Sequence, residues 1–104
     1  MGKRKVRPYI SSMIKTFQHK GLEALHTTGN ARGVRADHVP RLRRLLAALD
    51  QANKPSDMDR PGNRMHRLKG SLAGYWAVSV SGNWRVIYRF DGADVELVHY
   101  LDYH

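Results

Sequence analysis

The sequence predicts an α+β fold in which two N-terminal helices pack on one face of a mainly antiparallel, twisted sheet. Apolar residues of the first half recur at helical spacing, whereas those of the second half alternate with polar residues. Short glycine-containing turns separate the alternating stretches. Because strands joined by two-residue turns pair antiparallel, the expected order is strand, helix, helix and then a four-strand meander.

The first periodic stretch is "MIKTFQ", residues 13–18, which is predicted to form a short strand. The following "HKGLEALHTTG" is predicted to be the first helix, because apolar residues lie at helical spacing and a glycine ends the pattern. These residues are Leu22, Leu25, His26 and the terminal Gly29. Residues 1–12 show neither period and are expected to be a basic extension outside a single domain of residues 13–104.

The second helix has the strongest helical pattern and is predicted to begin at Asp37. Its apolar face carries Val39, Leu42, Leu46 and Leu49, and its opposite face carries Arg41 and Arg44. Asp37 is a suitable N-cap because its carboxylate can accept hydrogen bonds from free backbone N–H groups. Pro40 is compatible with this assignment because it falls in the first turn.

The second half is predicted to contain a loop and four strands. The loop is "KPSDMDRPGN", residues 54–63, which contains two prolines and a glycine. The strands are "RMHRLKG", "YWAVSVS", "NWRVIYRF" and "ADVELVHYL", separated by "SLAG", "SG" and "DG". Trp76, Trp84 and Tyr88 on these strands are predicted to pack in the core or against the sheet.

The charge distribution predicts a polyanionic partner. Eighteen lysines and arginines against nine aspartates and glutamates give a net charge of +9. The residues up to Leu46 carry this excess, with eleven basic and two acidic side chains. Nucleic acid or the ribosome is the favoured partner and an acidic protein the next, although such an excess is also found on ordinary solvated surfaces.

Several function classes lack support in the sequence. The chain has no cysteine, which excludes disulfides and thiolate metal sites and is typical of cytoplasmic proteins. The apolar runs are too short to span a bilayer. The six histidines show no metal-binding spacing, and nucleotide-binding or nucleophile-elbow motifs are absent, so no metal or cofactor is predicted. Four histidines are assigned structural roles: His19, His26, His38 and His99.

The remaining polar residues of the strand half match the needs of metal-free RNA cleavage. They are His66, Lys69, Arg85, Tyr103 and His104. Such cleavage needs a base for the ribose 2′-hydroxyl, an acid for the leaving oxygen, and cations for the charge on the phosphate. Considered singly, His66 is better explained as a polar surface residue and Arg85 as a charge on the sheet face. The strand register decides whether these residues converge.

The C-terminal "YLDYH" is unusually rich in aromatic and ionisable residues for a chain terminus. We expect the last strand to end at the active site, so that sheet pairing holds Tyr103 and His104 beside the other candidate residues.

These residues match a family pattern. From Met13 to His104 the chain resembles the HigB-type toxins, the plasmid-maintenance killer proteins of the RelE-like superfamily. The resemblance is carried by "MIKTFQHKGLEAL", "HRLKG" with "GYWAVSV" and "NWRVIYRF", and the final "LDYH", in this order. It implies a microbial-RNase-like sheet flanked by two helices, which agrees with the fold predicted from periodicity.

The resemblance further implies a toxin that cleaves mRNA in the ribosomal A site and is neutralised by a HigA-type antitoxin with a helix-turn-helix domain, through which any DNA contact is made. The implied catalytic residues are His66, Lys69, Arg85, Asp102, Tyr103 and His104. Asn83 is expected to position RNA. Arg67, which lies beside His66 where related sequences can have proline, is also expected to bind RNA. Arg41, Arg43 and Arg44 are expected to contact ribosomal RNA.

Two alternatives stay open at this point. One is a non-catalytic basic module that binds RNA or DNA, and the other is a ribonuclease that needs no ribosome. Residues 1–12 precede the position where the family usually begins, so Met13 is an alternative natural start.

Overall fold

The computed structural model describes residues 13–103 and confirms the α+β class. Two helices precede a four-stranded antiparallel sheet with the strand order β1-β2-β3-β4. The elements are α1 (Lys20–Thr28), α2 (Val39–Gln51), β1 (His66–Arg67), β2 (Trp76–Ser81), β3 (Trp84–Asp91) and β4 (Asp94–Asp102). Within residues 13–103, no helix is long and apolar enough to cross a membrane. The predicted extension, residues 1–12, and His104 lie outside the described residues.

Helix α1 begins and ends where the sequence predicts. The Nδ1 atom of His19 accepts a hydrogen bond of 3.0 Å from the backbone N–H of Leu22, which caps the first turn. Gly29 ends the helix with a φ of 80°, a left-handed conformation that glycine adopts without steric cost. Leu22 and Leu25 are buried between these two ends.

Helix α2 begins at Val39, so the prediction that Asp37 is its N-cap is wrong. Residues 36–38 form a separate 3₁₀ turn. The carboxylate of Asp37 instead accepts two hydrogen bonds of 3.1 Å from the guanidinium of Arg35. The guanidinium of Arg35 therefore occupies both carboxylate oxygens that would have capped the helix. Pro40 lies in the first turn, as predicted.

Residues 13–18 do not form the predicted strand. Ile14 and Phe17 make two isolated parallel bridges, to Val95 and Val98 of β4. Between these two positions β4 bulges at Leu97, whose φ is 55° and whose N–H donates to Thr16 Oγ1 at 2.8 Å. The bulge interrupts a continuous ladder, and it turns both valines towards the core.

The main core lies between the helices and one face of the sheet. The buried leucines of α1 and α2 pack there against alternate residues of β2, β3 and β4. From the sheet these include Val78, Val86, Tyr88, Val98 and Tyr100. Trp76 and Trp84 are half-buried against the same cluster, which confirms their predicted packing role. The opposite face of β3 is thereby left for residues such as Arg85.

Strand β1 is much shorter than predicted, and Arg41 stabilises the edge of β2 beyond it. The Arg41 guanidinium donates to the Ser79 carbonyl at 3.0 and 3.3 Å, to the Gly62 carbonyl at 3.1 Å and to Asn63 Oδ1 at 3.0 Å. Arg41 is therefore half-buried and not on the exposed face where the helical pattern placed it. Its contacts connect α2 to the loop before β1.

Replacing Arg41 by Ala is expected to lower the free energy of unfolding by about 1–3 kcal/mol, because carbonyl groups at the sheet edge lose their donor. Urea unfolding measures this change. The matched control is Arg43→Ala, at an exposed position of the same helix, with an expected effect within about 0.5 kcal/mol. Equal effects for the two variants would contradict a structural role for Arg41.

Candidate active site on the open face of the sheet

The sheet face that points away from the helices carries a second, smaller apolar cluster. Leu68, Ala77 and Ile87 are buried in it. Half-buried residues pack around these three, namely Leu72, Tyr75, Leu101 and Tyr103. The buried leucines of both helices belong to the other cluster. We call this surface, which also carries His66 and Arg85, the open face.

The strand register places His66 and Arg85 on the open face. His66 lies opposite Ala77, which lies opposite Ile87. Arg85 lies opposite Ser79 in the next row on the same side of the sheet. Because directly opposed residues point to the same face, His66 and Arg85 share the apolar floor formed by Ala77 and Ile87. Two strand spacings of about 4.8 Å separate their strands.

His66 is exposed, and one of its ring nitrogens has a defined partner. Nδ1 lies 3.1 Å from the backbone carbonyl oxygen of Arg64. Since a carbonyl oxygen only accepts hydrogen bonds, this contact requires the proton on Nδ1. In the neutral ring, Nε2 then carries the lone pair that could accept a proton.

Arg85 is half-buried and held by the hairpin that precedes it. Its Nη1 donates to the Gly82 carbonyl at 2.6 Å and to the Trp84 carbonyl at 3.0 Å. Both bonds use the same nitrogen and fix the position of the guanidinium at the end of the sheet. The prediction that Arg85 points away from Trp84, Val86 and Tyr88 is confirmed by the packing of these three against the main core.

Tyr103 lies at the same end of the sheet as Arg85, just beyond the last residue of β4. Its side chain packs against the open-face cluster, and its backbone N–H donates to the Asn83 carbonyl at 2.8 Å. Asn83 is exposed in the turn between β2 and β3. Lys69 is exposed and directly follows the buried Leu68, two residues beyond the end of β1.

Two residues of the predicted set lie on the other side of the sheet. Asp102 is opposite Trp84 and lines a pocket on the side of the helices. Arg67 is opposite Trp76, with its guanidinium carbon 5.3 Å from the Trp76 ring centroid. Arg43 and Arg44 are exposed on α2, away from the open face.

Two further histidines contact each other: His19 precedes α1, and His99 lies on β4 opposite Ile87. The rings of His19 and His99 are 5.7 Å apart. Burial lowers the pKa of His19, and the nearby His99 lowers it further. Burial also lowers the pKa of His99. Both rings therefore favour the neutral form near pH 7, which fits the structural role predicted for them.

Metal chemistry has no visible site in the described part of the chain. Residues 13–103 contain no group of three or more histidine, aspartate or glutamate side chains that could hold an ion. The arrangement on the open face is instead a combination of imidazole, guanidinium and phenol groups around an apolar floor. This set can transfer protons and bind phosphate without a cofactor.

The pocket that Asp102 lines was not predicted from the sequence. It lies between residues 32–35 and the ends of β3 and β4, and Arg32, Arg35, Trp84 and Tyr100 are among its lining residues. The two arginines flanking a glycine in "RGVR" were the available signal, but these residues have no periodic pattern that would place them beside the sheet.

A family model and two named relatives match the chain. The model describes a HigB-like toxin, the RelE-like toxin of the type II toxin-antitoxin system HigB, and matches residues 15–104. A Proteus vulgaris protein named Endoribonuclease HigB is 40% identical over 92 residues, which cover 88% of this chain and all of that protein. Toxin HigB-1 of Vibrio cholerae is 42% identical over 63 residues, covering 59% of this chain and 64% of that one.

Solved structures share the fold at low sequence identity. A chain of a YoeB-YefM complex from Staphylococcus aureus is 17% identical, with a TM-score of 0.57 over 91% of this chain and 97% of that one. A YoeB/ParE toxin from Agrobacterium tumefaciens is 19% identical, with a TM-score of 0.51 over 89% and 96% of the two chains. These similarities support the α+β architecture.

Proposed function

Because this chain belongs to the HigB-like family of RelE-like toxins of type II toxin–antitoxin systems, we propose that it is an endoribonuclease that cleaves mRNA in the ribosomal A site. The observation that carries this proposal is the placement of His66, Arg85 and Tyr103 around one apolar floor on the open face. The name of the Proteus vulgaris relative supports the same reaction. The action takes place in the cytoplasm, where ribosomes are found.

The proposed reaction is a transesterification within the RNA. A general base removes the proton from a ribose 2′-hydroxyl, and the 2′-oxygen attacks the adjacent phosphorus. The bond from phosphorus to the 5′-oxygen breaks, and a general acid gives that oxygen a proton. The products are a 2′,3′-cyclic phosphate and a 5′-hydroxyl, and no metal or cofactor takes part.

The candidate catalytic residues have distinct proposed roles. His66 is the base, because the contact of Nδ1 with the Arg64 carbonyl leaves the Nε2 lone pair for the 2′-hydroxyl. His104 is the acid. Arg85 and Lys69 stabilise the negative charge that grows on the phosphate oxygens.

Residues at the end of the sheet position the RNA. Tyr103 stacks on or orients the nucleotide at the cleaved bond, and Asn83 in the adjoining turn contacts the strand. Asp102 lies on the other face and therefore acts on the geometry of the final residues rather than on the phosphate.

Incubation with translating ribosomes and, separately, with naked mRNA tests the proposed function. Cleavage that occurs only on ribosomes is the expected result. Cleavage of naked mRNA at the same rate would indicate a free ribonuclease, and RNA binding without cleavage would indicate a non-catalytic binding module.

We propose Arg43 and Arg44 as contacts to ribosomal RNA. The Arg43→Gln/Arg44→Gln variant is expected to bind ribosomes more weakly, with the slope of log affinity against log salt reduced by about 2, one for each phosphate contact. Filter binding at several salt concentrations measures the slope. Arg41 is left unchanged because its side chain supports the fold. The control, Lys20→Gln/Lys54→Gln, removes two exposed charges elsewhere, and an equal loss of slope there would contradict the assignment.

A HigA-type antitoxin with a helix-turn-helix domain is the proposed neutralising partner. The net charge of +9 favours an acidic binding segment on that partner. Co-expression with the neighbouring open reading frame should relieve growth arrest and give a co-purifying complex. Harmless expression of the toxin alone at high level would count against the toxin function.

A further inference from the structure

A slot of about 360 Å³ lies between residues 32–35 and the ends of β3 and β4. One wall is formed by Arg32, Gly33, Val34 and Arg35, and the other by Trp84, Tyr100, Leu101 and Asp102, with His19 also lining it. The volume falls in the range of small-ligand sites, which combine apolar surfaces with a few polar groups. We call this pocket the nucleotide slot.

The wall formed by residues 32–35 is fixed against the rest of the fold. Gly33 packs directly on Gly21 of α1, where an added Cβ would lie 2.5 Å from the Gly33 carbonyl oxygen. This backbone contact requires glycine at both positions. The hydroxyl of Tyr100 accepts from the Arg35 N–H at 3.4 Å and lies 2.6 Å from His38 Nδ1. The slot is therefore already shaped in the free protein.

Flat surfaces line the slot. The Trp84 and Tyr100 rings are 4.7 Å apart between centroids, inclined at 31°. The guanidinium carbon of Arg35 lies 5.9 Å from the Trp84 centroid, and Asp37 orients this guanidinium through two hydrogen bonds. Aromatic rings and guanidinium planes are the surfaces on which unpaired bases stack. Arg32 is exposed at the same wall and offers a charge for phosphate.

The slot adjoins the candidate active site at the end of the sheet. Trp84 lines the slot and the next residue, Arg85, lies on the open face. Asp102 lines the slot and the next residue, Tyr103, packs on the open face. A single-stranded RNA that passes around the ends of β3 and β4 would therefore meet both surfaces.

We infer that the nucleotide slot binds one nucleotide of the RNA substrate adjacent to those at the cleaved bond, with its base against Trp84 and Arg35 and its phosphate at Arg32. This inference rests on the proposed function and adds a substrate contact on the face of the sheet opposite His66.

Fluorescence of Trp84 tests the inference. The Trp76→Phe variant leaves Trp84 as the sole tryptophan. The probe is a hexamer of 2′-O-methyl RNA, which cannot be cleaved because it lacks the 2′-hydroxyl. Saturable quenching is expected, and the Arg32→Gln/Arg35→Gln variant should raise the dissociation constant about tenfold, as expected for one lost stacking and phosphate contact. The control Lys54→Gln/Arg60→Gln removes two exposed charges outside the slot. It should change the dissociation constant less than about twofold.

A second measurement uses the unaltered chain. Photocrosslinking of a 4-thiouridine-containing hexamer, followed by mass spectrometry, should place a crosslink at residues 32–35 or Trp84. Quenching that persists at full affinity in Arg32→Gln/Arg35→Gln, or crosslinks confined to the open face, would overturn the inference. The inference would also be overturned if the unaltered chain does not bind the hexamer and the Arg32→Gln/Arg35→Gln variant cleaves ribosome-bound mRNA at full rate. Absence of cleavage by the unaltered chain would overturn the proposed function instead.

Discussion

Replacing His66 by Ala should lower the rate of mRNA cleavage by about 10²–10⁴, the usual contribution of a general acid or base. Ribosome affinity should change little, because the ring is exposed on the open face and contributes one neutral contact to Arg64. Single-turnover cleavage on ribosomes with a saturating amount of toxin measures the chemical step.

The variant His66→Asn separates the chemical role of His66 from a structural one. The Asn side-chain amide can donate to the Arg64 carbonyl as Nδ1 does, but it has no basic nitrogen to replace Nε2. We therefore expect His66→Asn to retain stability and to lose as much activity as His66→Ala. Full activity in His66→Asn would show that His66 holds the loop before β1 and transfers no proton.

The fold was predicted closely where local chemistry decides it. The Gly29 terminus of α1 and the two-residue turns at Gly82 and Gly92 follow from backbone conformations that glycine adopts easily. The alternation on β3 likewise predicted that Arg85 and Trp84 lie on opposite faces, because the period of a strand is fixed by its backbone.

The errors occurred where another contact takes groups that the periodic pattern assigns elsewhere. Asp37 pairs with Arg35, two residues away, instead of capping α2. The Arg41 guanidinium donates to the carbonyl of Ser79, 38 residues away, and the bulge at Leu97 prevents residues 13–18 from forming a regular ladder. The contacts of Arg41 and Leu97 depend on which elements meet in three dimensions, so no local pattern encodes them.

The candidate site was predicted in part. The register brings His66, Arg85 and Tyr103 to the open face, and places Asp102 on the opposite one. Asp102 directly precedes Tyr103, so sequence proximity suggested a common site. The alternation of side chains along an extended chain separates neighbouring residues onto opposite faces.

Replacing Arg85 by Gln should lower the cleavage rate by about 10²–10³, in the range found when one preorganised donor to a developing negative charge is removed. Arg85 is suited to this role because its Nη1 bonds to Gly82 and Trp84 fix the guanidinium before RNA arrives. Because Arg85→Gln also removes these bonds, the variant can lose activity through lower stability as well as through lost catalysis, and the two effects have to be separated. Single-turnover cleavage and urea unfolding should therefore be measured on the same protein sample.

The variant Arg85→Lys provides that separation. Lysine keeps the positive charge, but it has a single ammonium group. The planar guanidinium of arginine can donate to the hairpin carbonyls through one nitrogen and to phosphate through the others, and an ammonium group cannot do both. We expect Arg85→Lys to recover part of the activity lost in Arg85→Gln, while both variants show a similar small loss of stability. If the cleavage activity of both variants falls only in proportion to their unfolded fraction, Arg85 supports the hairpin and does not stabilise the reacting phosphate.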